Sequence, residues 1–212
     1  MITEPTFPNT IQTIEELLEF TGKPSELVNN KVISYLDEHC RAFIVKSPFL
    51  MISTSDASGF CDVSPRGDAA GFVHVMNDRQ LIIPERPGNK RMDSLQNILS
   101  NPNIGLLFLI PGLGETLRIN GKASVVRDLE LLEKMAVNGK RPLLGIGVDV
   151  EECFIHCAKA FRRSELWNPE TWMDQEELPK GAKILAAHAK LPNVDEAAVG
   201  KLLEKSYREK LY

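Results

Sequence analysis

Only four cysteines are spread over 212 residues, and no two form a CxxC pair. That usage gives no disulfide framework of the kind small secreted domains rely on. Long apolar runs are missing too. The longest, Ile104 to Ile110, stops at Pro111, far short of the ~20 residues that span a bilayer as a helix. Excess positive charge is absent: 25 Lys and Arg stand against 29 Asp and Glu, a net charge of −4, which argues against general nucleic-acid binding. No Ser-His-Asp arrangement, HExxH or P-loop string is present, and no GxGxxG follows a strand, so glycine-rich nucleotide folds are disfavoured. The opening MITEPTFPNT has neither the basic start nor the apolar stretch of a secretory signal. The expectation is a cytoplasmic protein with reduced thiols.

What is present is ordinary globular material, 43% hydrophobic and 25% charged, enough for one domain with terminal additions. The most informative stretch is LIIPERPGNKRMDSLQNILSN at 81–101. Leu81, Ile82 and Ile83 suit a buried strand. Pro84, Pro87 and Gly88 break it, Asn89 is a candidate helix cap, and Met92, Leu95, Ile98 and Leu99 mark one helical face up to Asn101-Pro102. Arg86, Lys90 and Arg91 cluster at the expected helix start, with Ser94 one turn on. Unpaired N–H groups and a partial positive charge at a helix N-terminus, joined by three cations, make a phosphate receptor. The bland alternative is a solvated basic patch.

Along the rest of the chain, residues 1–10 read as an irregular arm. A short helix closes at Gly22, and a second runs from Ser25 through about His39. Strands are expected at 49–54, 60–64, 72–76, 80–83 and 105–110, with a hairpin around Asp56 to Gly59. Residues 115–126 read as one long strand with a glycine bulge at Asn120-Gly121. Asp128 caps a helix over roughly 129–137. Residues 138–149 read as loop and 150–156 as a last strand. A short helix then runs to about Glu165, and two more lie near 181–189 and 195–208. Short antiparallel strands with peripheral helices imply a closed or partly closed barrel.

Three further motifs stay open on residues alone. DVSPRGD at 62–68 reads as a strand ending at Pro65 and a polar turn in which Arg66 and Asp68 either form a salt bridge or meet a ligand. Cys153, His156 and Cys157 fall short of a tetrahedral metal set, so buried thiols are the expected reading and no metal is assigned. Trp167, close to Arg162 and Arg163, either closes a core edge or stacks on a ligand. His74 is the nearest candidate for proton transfer but reads better as a strand residue, and the catalytic residues remain unknown.

The blocks DVSPRGD (62–68), IPERPGNKRMDSLQNILSNP (83–102), GLLFLIPG (105–112), ETLRINGKA (115–123) and HCAKAFRRSELW (156–167) resemble the pyridoxamine 5′-phosphate oxidase-like family of flavin-binding split barrels. They are similar above all to its bacterial FMN-dependent branch with no settled substrate. The resemblance covers roughly residues 35–170, between an N-terminal arm with helices (1–34) and a C-terminal helical extension (171–212). It implies a six-stranded antiparallel split barrel, a homodimer and FMN at the subunit interface. Arg86, Lys90, Arg91 and Ser94 would hold the phosphate, with Asn89 also among the cofactor-binding residues. Ser64, Pro65, Arg66 and Gly67 would line the isoalloxazine ring beside Ile83 and Pro84, and Trp167 with Arg163 would come from the partner chain. The implied activity is FMN-dependent hydride transfer through flavin N5 to or from a small molecule. The arginine-bearing segment that grips substrate in pyridoxamine phosphate oxidases is not recognisable in KSYREKLY. A flavin storage protein, a haem-binding split barrel and a deazaflavin cofactor are the alternatives.

Overall fold

A computed structural model describes residues 7–212. Of the arm expected over residues 1–10, residues 1–6 lie outside the described residues. The chain divides into two compact units, Met1–Val32 and Ile33–Tyr212. The first contains α1 (Ile14–Thr21) and α2 (Glu26–Asn30). Both begin at a side-chain cap: Thr13 accepts the Glu16 N–H at 3.1 Å and Ser25 the Val28 N–H at 3.4 Å. Gly22, with φ of 73°, closes α1 as expected.

The single helix expected from Ser25 to about His39 does not form, because α2 stops at Asn30. In the second unit, Ile33 is drawn into an extended bridge with Cys153, exchanging backbone bonds of 3.0 and 2.7 Å. Asp37 then caps a separate helix, α3 (Glu38–Lys46), by accepting the Cys40 N–H at 2.8 Å. A carboxylate on an orphan first-turn donor is a strong start signal.

The strands are β1 (Phe49–Ser55), β2 (Cys61–Gly67), β3 (His74–Val75) and β4 (Gln80–Glu85). After α4 (Asp93–Ser100) come β5 (Asn103–Leu109) and β6 (Thr116–Val126), then α5 (Leu129–Glu133) and β7 (Leu144–His156). The helices α6 (Lys159–Ser164), α7 (Gly181–Ala189) and α8 (Glu196–Glu209) complete the chain. The strands form one sheet in the order β2-β1-β5-β6-β7-β4-β3, and every pairing is antiparallel. This sheet with peripheral helices is consistent with a split barrel. It has seven strands in an open sheet rather than the expected six, since the two-residue β3 adds a short edge beside Leu81 and Ile82.

The core follows the period-2 pattern of the strands. Leu50 and Ile52 of β1 and Ile83 and Ile146 of the β4–β7 pair are fully enclosed, together with Leu36 and Ile44 from the α3 side. The expected bulge is present: the β6–β7 register shifts between Asn120 and Gly121. The loop expected over 138–149 is corrected, because β7 starts at Leu144. Gly145 and Gly147 lower strand propensity, yet both are packing glycines. A Cβ would meet Ile82 Cδ1 at 2.9 Å at the first and Val126 Cγ2 at 2.9 Å at the second. Helix α5 is shorter than expected, ending at Glu133. No helix among the described residues is long and apolar enough to cross a membrane.

Candidate functional site

Strand β2 does not end at Pro65 but runs on to Gly67, opposite Phe49 of β1. Proline is tolerated there because β2 is the sheet's edge. That extension carries Ser64 to Gly67 alongside the end of β4. Pro84 and Glu85 of β4, the loop 86–92 and the first turn of α4 complete one side of a cleft of about 620 Å³. Lys140, Arg141 and Pro142 to Leu144 form another wall, and Tyr212 also lines it.

Helix α4 begins at Asp93, not at Asn89 as expected. Its N-cap, Met92, makes no side-chain cap bond. Asn89 instead accepts the Arg91 N–H at 3.0 Å, an Asx turn that competes with helix entry. Lys90 and Met92 take left-handed backbone with φ of 63° and 59°. Leu95 and Ile98 face the core, whereas Met92 and Leu99 are exposed, so the apolar stripe is narrower than the sequence pattern suggests.

The cleft's cations are mostly engaged. Arg66 pairs with Glu85 at 3.1 Å, Arg86 with Asp68 at 2.6 Å and Arg91 with Asp93 at 2.9 Å. Lys90 has no ion-pair partner among the described residues. The Asp68 side chain is only 2% exposed. Burial pushes its carboxyl upward, but bonds from the Tyr212 hydroxyl, the Ala69 N–H and Arg86, with the guanidinium charge, outweigh it and hold its pKa below the usual value.

Ser94 supplies the sharpest observation. It lies in the first turn of α4, is 2% exposed and lines the cleft, and its hydroxyl has no hydrogen-bond partner. A buried hydroxyl without a partner carries a desolvation penalty that an acceptor in the cleft would relieve. With the orphan N–H groups of the same turn and Lys90 beside it, the donor set fits a phosphate group.

The cleft thus brings together Ser64, Pro65, Arg66, Gly67, Pro84, Arg86, Asn89, Lys90, Arg91 and Ser94. Ile83 stands behind Pro84 with its side chain wholly in the core. Arg163 and Trp167 are elsewhere within this chain. Arg163 is exposed on α6, and Trp167 stacks on Phe161 at 5.7 Å and donates its indole N–H to the Leu113 carbonyl at 2.9 Å. His74 is half-buried in the short β3, opposite Ile82. Cys153 is buried with Cys40, their sulfurs 3.2 Å apart, whereas Cys157 is exposed rather than buried as expected.

Sequence reasoning missed the Lys140–Leu144 wall and Tyr212. The wall had a signal: Asn138-Gly139 is a tight-turn dipeptide. Both residues take positive φ, 52° and 72°, and Val137 and Lys140 exchange backbone bonds of 3.0 and 2.9 Å across them. Tyr212 had none, because its partner Asp68 is 144 residues away.

The family model for pyridoxamine 5′-phosphate oxidase matches residues 36–157. The chain belongs to the pyridoxamine 5′-phosphate oxidase family. The matched span holds the whole sheet and all of the cleft's lining except Tyr212. Solved structures similar to this family member include HupZ of Group A Streptococcus, 19% identical over 56% of this chain and 92% of that one, with a TM-score of 0.46. General stress protein 26 from Bacillus anthracis is 16% identical over 55% of this chain and 93% of that one, with a TM-score of 0.41. No curated protein matches the chain in sequence.

Proposed function

We propose that the protein is an FMN-dependent oxidoreductase with the phosphate of FMN seated at the start of α4. The observation that carries this reading is the buried, partnerless hydroxyl of Ser94 in a cleft that also presents Lys90. Family membership supports a flavin cofactor. Arg86, Lys90, Arg91 and Ser94 bind the phosphate, and Asn89 fixes the loop that presents them. Ser64, Pro65, Arg66 and Gly67, with Pro84 backed by Ile83, form the wall for the planar ring. When bound, FMN supplies hydride transfer at its N5.

The protein's own part is binding, orientation and electrostatics. Arg66 shares its charge with Glu85, so it contributes less net field to an anionic ring than a free guanidinium would. Lys90 and the first-turn N–H groups of α4 carry more of the positive potential. The same reading makes the functional unit a cytoplasmic homodimer, with Arg163 and Trp167 of one protomer completing the site of the other.

The test is the visible absorption spectrum of freshly purified protein, followed by anaerobic NADH and NADPH. Flavin bands bleached by a nicotinamide are the expected result. Bands that persist unbleached shift the reading to a flavin carrier or another donor, and a colourless protein that takes up no added FMN overturns it.

A further inference from the structure

Arg86, which lines the cleft, faces Asp68, and a third residue touches both. The Arg86 Nε–H donates to Asp68 Oδ2 at 2.6 Å. Asp68 Oδ1 is occupied separately, by the Tyr212 hydroxyl at 2.7 Å and the Ala69 N–H at 2.7 Å. The Arg86 guanidinium also lies over the Tyr212 ring, 5.5 Å from its centroid, within cation–π range.

This arrangement has a chemical consequence. An arginine beside a carboxylate tends to close a two-pronged fork on both oxygens. Here Oδ1 is already filled, so Asp68 takes Nε through Oδ2 alone. The terminal nitrogens of Arg86 have no hydrogen-bond partner among the described residues. The tyrosine ring packs against the same guanidinium, 5.5 Å from its centroid.

We infer that Tyr212 is a positioning residue that keeps Arg86 from folding back onto Asp68 and so presents its terminal N–H groups to an anionic group in the cleft. The inference rests on the FMN reading, in which that group is the cofactor's phosphate. Tyr212 acts through Arg86, and its effect is on recognition of the phosphate rather than of the ring.

The experiment is a fluorescence titration of FMN and of riboflavin, which lacks the phosphate, into wild type, Tyr212→Phe, Arg86→Ala and the double variant. Phenylalanine keeps the ring and removes only the hydroxyl, so the fold is preserved. Tyr212→Phe is expected to weaken FMN about five-fold, the scale of one hydrogen bond, and to leave riboflavin affinity unchanged. In the Arg86→Ala background the same change has no further effect. Equal losses for both flavins, unchanged FMN affinity or additive losses overturn the inference while leaving FMN binding intact. A wild-type protein that binds FMN no tighter than riboflavin overturns the phosphate reading itself, and the role of Tyr212 with it.

Discussion

Asp68 accepts the Nε–H of Arg86 at 2.6 Å from a side chain only 2% exposed. Its pKa in the folded protein lies below the usual 3.8, so on acidification the unfolded chain takes up this proton first. The stability from the ionised carboxylate is therefore complete well above pH 3.8 and is lost as pH falls through the lower, folded value. Asp68→Asn is expected to cost about 3 kcal/mol at neutral pH, since it removes the counter-ion of a guanidinium only 14% exposed. Thermal unfolding of wild type and variant checks this: the gap in Tm should be widest near pH 7 and shrink toward pH 2.

Ser94→Ala separates folding from binding. Removing a buried hydroxyl that has no partner should leave the flavin-free protein as stable as wild type, or about 1 kcal/mol more stable. FMN affinity should fall up to about ten-fold for the lost bond. Denaturant unfolding without flavin, beside a flavin titration, reads both effects. A variant that loses stability and keeps its affinity would place the hydroxyl in packing instead.

Lys90→Ala combined with Arg91→Ala removes two exposed cations from the loop before α4. Charge-assisted bonds contribute ~1.5–3 kcal/mol each, so FMN binding should weaken by several kcal/mol. The circular dichroism spectrum and Tm should barely move. An unchanged FMN dissociation constant would remove the assigned phosphate site.

Gly121→Ala tests the bulge. A Cβ there would fall 2.0 Å from the Asp149 carbonyl oxygen, and this contact is with backbone, which cannot swing aside. The expected loss is about 3 kcal/mol or more, visible as a large drop in Tm or in soluble yield. The Gly59→Ala control meets no atom within 4 Å, though its φ of 92° adds backbone strain, and it should cost much less.

The sequence revealed most where local chemistry and tertiary demand agree. Asp128 caps α5 and Gly22 closes α1 as read. The cluster Arg86, Lys90, Arg91 and Ser94 gathers at one cleft because a single loop and helix turn carry it. Reading failed where long-range pairing overrides propensity. Ile33 leaves a helical pattern to bridge Cys153, and Leu144 to Asp149 form a strand despite two glycines because β4 and β6 both pair with them. The helix start slid from Asn89 to Asp93 because the Asn89 side chain bonds within its own turn. Tyr212 could not be placed, since nothing local ties it to Asp68.

The left-handed backbone at Lys90 and Met92 says something about what the loop preserves. For a residue with a Cβ that conformation costs roughly 1–2 kcal/mol, and glycine would avoid nearly all of it. The loop carries an ammonium and a thioether there instead, so local backbone comfort has been traded for side chains. Lys90→Gly should consequently relax the loop as it discharges it. That would make the protein sturdier without flavin and a poorer host for one, the reverse of what an ordinary helix-start mutation does.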